Sequence, residues 1–221
     1  MILTVCSLFR DSTRYLDRYF AQVSSIYPLE STRFVFVEGD STDSTYQRLL
    51  KWRDGPFKAN TQVIKHDQHI PYYGSVVHPK RLSCLAELAN IALDAIPEET
   101  DYILWVESDL IFESDLVRHL LLLSGGKHAV APYIITQKTR QFYDIWAFRK
   151  DGVQFNPHKP YIHGESHLFD VDSAGSVLLV PARFRSCRFK TENAIIGWCE
   201  NLKEEGCSIK AARDVVVWHP A

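Results

Sequence analysis

The stretch that decides the fold is Tyr102-Ile103-Leu104-Trp105-Val106-Glu107-Ser108-Asp109-Leu110-Ile111-Phe112. Its apolar start is typical of a buried strand. Residues two apart in a strand point the same way, so Glu107 and Asp109 can direct two carboxylates at one point while Ser108 faces away. Such oxygens suit Mg²⁺ or Mn²⁺, and open α/β sheets bind ligands at this edge. The simpler alternative is a solvated turn into a helix capped by Ser114 or Asp115.

Composition places the chain among globular proteins with a substantial core. It has 221 residues, of which 46% are hydrophobic and 24% are charged. The formal net charge of −2 gives no bias toward nucleic acid or anionic membranes. The five cysteines are irregularly spaced, which favours reduced thiols over a disulfide framework or a zinc site. With no leader-like start and no apolar run near the ~20 residues of a membrane span, we expect a soluble, cytoplasmic protein.

Strands and helices alternate through the first half of the sequence. The pattern predicts strands at 2–9, 33–37, 61–65 and 102–106, helices at 11–26, 46–52 and 81–96, and a loop at 66–79. Such alternation is typical of a three-layer α/β/α sandwich with a mostly parallel central sheet and a Rossmann-like first half.

The second half has a less regular pattern. It predicts strands at 129–135, 142–148, 173–180 and 208–218, a helix at 191–206, and a long irregular segment at 149–170 that is rich in histidine and aromatic residues. We therefore expect one domain over residues 1–221. Its half up to residue 110 would bind a nucleotide, and its half from residue 111 would bind an acceptor.

Polar side chains follow the predicted strands at one sheet edge. The segment Asp40-Ser41-Thr42-Asp43-Ser44-Thr45 comes after the second strand and opens a helix, where Asp43 or Ser44 is suited to capping. Glu38 or Asp40 could also accept hydrogen bonds from a nucleoside, at an edge shared with Ser7 and Arg10 from the first strand. The two interpretations are compatible. Ser108 and Glu107 are predicted to contact the same nucleotide ligand.

Two basic side chains complete the candidate donor and metal site. Arg81 opens the third predicted helix, where it is either a surface charge or a planar fork that neutralises a diphosphate. His219 ends the last apolar strand. A ring nitrogen at that edge could supply a third metal ligand beside Asp109 and Glu107, although a lone histidine near a terminus usually has no such role.

Three carboxylates of the second half are candidates for catalysis or sugar contact. Glu192 could act as a base, but the position is equally typical of a helix start capped by Thr191. Asp144 lies among aromatic residues, a mixture suited to sugar faces and hydroxyls. Asp172 precedes small residues that let a ligand approach the backbone closely.

Several enzyme classes lack their signatures here. The sequence has no P-loop, no dinucleotide-binding glycine motif and no serine-hydrolase nucleophile elbow. A nucleotidyltransferase acting on sugar phosphates would share the topology and the carboxylate-bound Mg²⁺, but it normally has a glycine- and lysine-rich loop where this chain has Ser7-Leu8-Phe9-Arg10. A non-catalytic sugar- or nucleotide-binding module is the other alternative.

Taken in order, these segments resemble nucleotide-sugar glycosyltransferases of the GT-A fold. They are most similar to the group that contains the fungal Golgi α-mannosyltransferases and the capsule mannosyltransferases. The matching segments are 39–45, Arg81 with Asn90, 104–109, 142–146, 173–180, and 192–206 with His219. The resemblance spans nearly the whole chain.

The resemblance implies a metal-dependent transferase that moves a hexose from a UDP- or GDP-linked donor, and it favours retention of configuration. Mn²⁺ or Mg²⁺ would bridge the donor phosphates. The acceptor stays open among a glycan, a protein, a lipid head group and a modified nucleic acid base. Glu107 replaces the first aspartate of the metal motif, which leaves Asp109 as the expected direct ligand. The missing membrane anchor of the Golgi enzymes suggests a soluble bacterial or viral relative.

Overall fold

The computed structural model describes residues 1–75, 77–154 and 167–220. Its helices and strands are β1 (Leu3–Phe9), α1 (Thr13–Ser25), β2 (Thr32–Glu38), α2 (Thr45–Arg53), β3 (Thr61–Lys65), α3 (Pro79–Asp94), β4 (Tyr102–Val106), α4 (Leu116–Ser124), β5 (Ala129–Thr136), β6 (Arg149–Lys150), β7 (Val153–Gln154), β8 (Leu168–Val171), β9 (Val177–Pro181), α5 (Ile195–Glu204) and β10 (Ile209–His219). The predicted alternation of the first half is confirmed to within a few residues at each end.

The central sheet has eight strands in the order β3-β2-β1-β4-β9-β5-β10-β8. Strands β1 to β4 pair in parallel, and so do β5 and β10. Strands β8 and β9 run antiparallel to their neighbours. The carboxyl ends of β1 to β5 and β10 therefore meet at one edge, and the predicted mostly parallel sheet is confirmed.

Apolar side chains cover both faces of this sheet. Alternate strand residues point to opposite faces, so Cys6 packs in one cluster and Val5 in the other. The first cluster includes residues of α3 and α5, and the second includes residues of α1, α2 and α4. This arrangement confirms the three-layer α/β/α sandwich. No helix within the described residues is long and apolar enough to cross a membrane.

The predicted strand at 142–148 is wrong, because the segment forms turns. Phe142 makes an isolated bridge to Ile135, and the N–H of Phe148 donates to the carbonyl of Asp144 at 3.1 Å. The rings of Phe142 and Phe148 meet edge to face at 5.0 Å, and both also contact the ring of Tyr133. The apolar alternation that imitates a strand thus serves a cluster of rings.

Two other predicted elements start late. The helix predicted at 191–206 begins at Ile195, because Ala194 adopts a positive φ of 47° and its N–H donates to the carbonyl of Lys190 at 2.7 Å. The strand predicted at 173–180 begins at Val177.

The irregular segment predicted at 149–170 contains the β6–β7 hairpin and most of β8. Its residues 155–166 lie outside the described residues.

A β-bulge separates the two parts of β10. Ala212 pairs with Pro132 of β5 and Val216 pairs with Tyr133, so residues 213–215 have no counterpart on β5. Pro132 has no N–H to donate, which suits it to an irregular position. Beyond the bulge, Trp218 exchanges two backbone hydrogen bonds of 2.8 Å with Ile111. The end of β10 therefore lies beside the acidic residues that follow β4.

Candidate active site

The ends of β4 and β10 bring Asp109 and His219 together. His219 Nε2 lies 3.2 Å from Asp109 Oδ2, although the two residues are 110 positions apart in sequence. Asp109 Oδ1 is buried and has no hydrogen-bond partner within the described residues. A buried carboxylate oxygen without a donor is costly, so this oxygen is well suited to a cation.

The imidazole of His219 is held in a fixed orientation. Its ring stacks on Tyr143, with centroids 3.6 Å apart and planes at 10°. Only 6% of His219 is exposed, and its carbonyl accepts the N–H of Gln137 at 2.9 Å. A ring oriented in this way presents Nε2 to its neighbours with little freedom.

Glu107 faces the same group of acids. Its N–H donates to the carbonyl of Ser176 at 2.9 Å, and the side chain still meets solvent. Crowding by protein atoms, followed by the charges of Asp109 and Asp144, raises the pKa of Glu107, whereas Ser176 and Arg81 act in the opposite direction. Water at the exposed end tempers the crowding. The direction shows that added positive charge would stabilise this group of carboxylates.

Asp144 is the buried member of the group, with 7% of its surface exposed. Its Oδ2 accepts the N–H of Gly175 at 2.7 Å. Burial raises the pKa of Asp144 to about 7, against the opposing effect of backbone hydrogen bonds from Gly175 and Ala147. A Cβ at Gly175 would lie 2.7 Å from Ala147 Cβ and 3.2 Å from both carboxylate oxygens, so only glycine fits here.

The donors of Asp109 and His219 are of types that fit a hard divalent cation. A carboxylate oxygen and an imidazole nitrogen both suit Mn²⁺, and Mg²⁺ is usually held by one or two carboxylates plus substrate phosphates. Across the described ranges, no three or more histidine, cysteine, aspartate or glutamate side chains form a group that could hold a metal ion. The Asp109–His219 pair therefore supplies two donors of the kind that suits such a cation, and further ligands would have to come from elsewhere.

A cleft of ≈ 560 Å³ lies where β1, β2 and β3 end. Arg10 crosses it, with Nη2 donating to the carbonyl of Ile70 at 2.8 Å and Nη1 lying 4.0 Å from Asp40 Oδ2. Its lining also includes Asp11, Ser41, Thr42, Lys65, Asp67, His69, Pro71 and Tyr72. The mixture of charged, hydroxyl and aromatic groups is suited to a polar ligand.

Asp40 supports the loop that follows β3. Its backbone is in the left-handed region at a φ of 57°, and its carboxylate accepts the N–H groups of His69 at 2.8 Å and Ile70 at 3.2 Å. The Asp40 N–H in turn donates to Asp67 at 2.9 Å. Both carboxylate oxygens of Asp40 are thus engaged in building the cleft.

The rest of the 40–45 segment ties two helix starts together. Asp43 Oδ1 accepts the N–H of Thr45 at 2.9 Å, and Oδ2 accepts the N–H of Thr13 at 3.2 Å. Asp11 Oδ1 accepts the N–H of Thr42 at 2.8 Å. The N-cap residue of α2 is Ser44, whose side chain makes no capping bond, and the carboxylate of Asp43 just before it accepts the first N–H of both α1 and α2.

Ser7 and Ser108, both predicted to contact a donor, lie inside the protein. The Ser7 hydroxyl donates to the carbonyl of Val106 at 2.6 Å and lies 2.5 Å from the Tyr19 hydroxyl. The Ser108 hydroxyl lies 3.4 Å from that of Ser12. In this structure both serines join β1, β4 and α1, and their side chains do not line the cleft.

Glu38 is fully buried at the end of β2. Its Oε1 accepts the N–H of Ser41 at 3.0 Å, whereas Oε2 has no hydrogen-bond partner in the part of the chain that the structure describes. Glu38 therefore keeps an oxygen that a ligand could use.

The remaining predicted residues occupy different surroundings. Arg81 is half-buried on α3, and its charge is close enough to act on Glu107 and Tyr143. Glu192 is exposed and accepts the Thr191 hydroxyl at 2.9 Å. The predicted cap by Thr191 is wrong, because the helix starts later.

Asp172 accepts the ammonium of Lys203 and the N–H of Gly152, each at 2.7 Å. These bonds hold it against α5 and the β6–β7 turn. Among the hydrogen bonds and ion pairs of the described residues, none joins Asp172 or Glu192 to the Asp109–His219 pair.

Solved structures share this architecture, although no family model and no curated protein match the chain. S. aureus TarS 1-349 in complex with UDP-GlcNAc matches with a TM-score of 0.65 and 14% identity, covering 100% of this chain and 59% of that one. Mannosyltransferase PcManGT from Pyrobaculum calidifontis, in complex with GDP-Man and Mn²⁺, matches with a TM-score of 0.63 and 12% identity, covering 98% and 56%. The fold is of the GT-A type. The chain spans about three fifths of the length of the TarS structure.

Two contributors to this site, Tyr143 and Ser176, are not among the predicted site residues. The stacking of Tyr143 on His219 joins residues far apart in sequence, and no local pattern announces it. Ser176 lies within the strand predicted at 173–180 and is opposite Glu107 in the structure. The small residues before β9 were the one available signal.

Proposed function

We propose that this protein is a metal-dependent glycosyltransferase that moves a hexose from a nucleoside diphosphate sugar to an acceptor. The observation that carries the proposal is the Asp109–His219 pair, which leaves a buried Asp109 oxygen without a partner among the described residues. The GT-A neighbours solved with UDP-GlcNAc, or with GDP-Man and Mn²⁺, support a UDP- or GDP-linked donor. Membership of the fungal and capsule mannosyltransferase group and retention of configuration are part of the proposal.

The donor half, up to residue 110, would hold the nucleotide. Its nucleoside would lie in the cleft at the ends of β1 to β3, beside Arg10 and near the unpartnered oxygen of Glu38. Arg81 would neutralise part of the diphosphate charge. The acceptor half would meet the sugar and the acceptor through Asp144, Asp172 and Glu192.

Asp109 and His219 would hold Mn²⁺ or Mg²⁺, which supplies electrostatic stabilisation of the leaving diphosphate when bound. Breaking the bond between the sugar and the phosphate leaves positive character on the anomeric carbon, as in other glycosyl transfers. The carboxylate of Glu107 can complement that charge, while Arg81 complements the phosphates. Fixed charges of this kind act without reorganising during the reaction.

The test measures how turnover of UDP-GlcNAc and GDP-mannose depends on Mn²⁺ concentration. Removing one ligand in His219→Ala should weaken the apparent Mn²⁺ affinity by about tenfold or more. His167→Ala is the matched control, because His167 pairs with Asp214 at an exposed position away from the end of β10. This control should keep the wild-type metal dependence.

Three results would overturn the proposal. An unchanged Mn²⁺ dependence in His219→Ala would show that the Asp109–His219 pair does not bind the metal. Release of pyrophosphate in place of nucleoside diphosphate indicates a nucleotidyltransferase. Binding of the nucleotide, seen as a thermal shift, without any turnover of donor indicates a non-catalytic module.

A further inference from the structure

Ser176 occupies a strained backbone position at the start of β9. Its φ is 51°, in the left-handed region where glycine is favoured, and the residue is buried. The N–H of Val177 donates to the carbonyl of Gly175 at 2.5 Å, so Ser176 is the central residue of a three-residue turn. Turns of this kind with positive φ are rare and strained. Glycine would fit this position with less strain, yet the chain has a serine.

The turn places Ser176 directly opposite Glu107. Val106 pairs with Val177 in the β4–β9 ladder, and the next hydrogen bond joins the Glu107 N–H to the Ser176 carbonyl at 2.9 Å. Side chains of directly opposed residues lie close enough to interact. The backbone geometry therefore places Ser176 beside Glu107, with one hydroxyl side chain next to one carboxylate side chain.

A hydrogen bond to Asp144 also fixes the turn that contains Ser176. The buried carboxylate of Asp144 accepts the N–H of Gly175 at 2.7 Å, and Gly175 has no room for a side chain. Ser176 is thus anchored through its neighbour on one side and through the β4–β9 ladder on the other. Strain that is held in place by its surroundings is typical of functional sites.

We propose that Ser176 is a positioning residue, whose hydroxyl orients the Glu107 carboxylate toward the reacting sugar. The strained turn and the hydrogen bond from the Glu107 N–H hold the backbone of Ser176 beside that of Glu107. The kinetic part of this inference rests on the function proposed above, whereas its structural part does not. Nothing in the local sequence distinguishes this serine from the other small residues before β9.

Two variants separate the hydroxyl from the backbone strain. Ser176→Gly removes the hydroxyl and relieves the positive φ, and Ser176→Ala removes the hydroxyl but keeps the strain. Asp151→Gly is the matched control, because Asp151 has a φ of 53° in an exposed turn. Crystal structures of the free proteins would show the Glu107 side chain directly.

We expect Glu107 to adopt one rotamer in the wild type and several in both Ser176 variants. Ser176→Gly and Asp151→Gly should melt at or above the wild-type temperature, because both relieve strain. A single, unchanged Glu107 rotamer in both Ser176 variants would overturn the inference. So would a clear loss of thermal stability in Ser176→Gly, because the serine would then be structural.

The kinetic readout uses UDP-GlcNAc or GDP-mannose, whichever the wild type turns over. Both Ser176 variants should lose about ten- to hundredfold in turnover, the range expected for a hydrogen bond to a charged group, while Asp151→Gly keeps its rate. In a Glu107→Gln background, adding Ser176→Gly should cost less than about threefold, because the two residues act as one unit. Fully multiplicative losses would contradict a role through Glu107. If Glu107→Gln itself turns over normally, the proposed role of Glu107 fails, and the rotamer comparison still decides whether Ser176 orients it.

Discussion

Two groups of acidic side chains lie at the same sheet edge and differ in how far the protein compensates their negative charge. The loop acids are Asp11, Asp40, Asp43 and Asp67, and each accepts at least one backbone N–H. The site acids are Glu107, Asp109 and Asp144. The pKa values of Glu107 and Asp144 are raised, and no described residue donates a hydrogen bond to Asp109 Oδ1.

The difference indicates that the loop acids stabilise the fold, whereas the site acids are suited to binding a cation. A carboxylate that accepts backbone N–H groups is already stabilised in its charged form by the protein. A group of carboxylates that repel one another, with one oxygen unpartnered, gains stability from an added cation. Both groups look alike in sequence, so burial, mutual repulsion and the partners of the oxygens, and not the residue types, tell them apart. Asp144 accepts a backbone N–H as the loop acids do, but its burial dominates and raises its pKa.

The largest expected effect comes from removing the carboxylate of one site acid, Asp109. Asp109→Ala should reduce metal-dependent donor turnover by at least about a thousandfold, roughly 4 kcal/mol of transition-state stabilisation. Its free energy of unfolding should change by less than about 1 kcal/mol, because among the described residues the Asp109 side chain gives up only its hydrogen bond with His219. Single-turnover kinetics and urea unfolding measure the two quantities. Near-normal turnover in the folded variant would remove Asp109 from the site.

An intermediate effect concerns pH and Asp144. Its folded pKa is about 7, above the ~3.9 of an unperturbed aspartate, so the folded state keeps the proton to higher pH than the unfolded state. This contribution to stability is therefore present at low pH and lost as pH rises from about 4 to about 7. Between those limits, Asp144→Asn should gain stability relative to the wild type by on the order of 3 kcal/mol. Urea unfolding across that range measures it, and a constant stability difference at every pH would contradict it.

The smallest expected effect comes from removing the carboxylate of one loop acid, Asp43. Asp43→Ala removes the acceptor at two helix starts and should cost about 1–2 kcal/mol of stability, with turnover per folded molecule within about twofold of wild type. Asp17→Ala is the control, since Asp17 is 90% exposed and pairs only with Arg48 in the described structure. It should cost less than about 0.5 kcal/mol. A loss of turnover per folded molecule well beyond twofold in Asp43→Ala would show that this residue acts in the reaction, as the site acids are proposed to do.

The first half of the fold could be predicted because its strands are continuous apolar runs with helical periods between them. The meeting of Asp109 and His219 was also predictable, since residues after parallel strands share an edge. Ser7 shows the limit of that argument. It precedes the strand end by two residues and points into the core, where Tyr19 and Val106 engage it.

The second half of the fold is harder to predict from the sequence for a physical reason. Its side chains are positioned by contacts between distant segments, such as the stack of Tyr143 on His219 and the bond from Gly175 to Asp144. The aromatic alternation at 142–148 has the period of a strand, yet the rings pack on one another. Sequence periodicity reports burial, and it does not report which partner causes the burial.

The β-bulge of β10 makes the face of His219 depend on strand pairing and not on residue count. Residues 213–215 are extra relative to β5, and pairing resumes between Val216 and Tyr133. Ala212 and Val217 are five positions apart, yet both pack in the same apolar cluster, so the bulge interrupts the strict alternation of side chains. The register of residues 216–219 against β5 therefore decides which face the imidazole takes. A slip of that register by one residue would turn the ring to the opposite side of the sheet, away from Asp109.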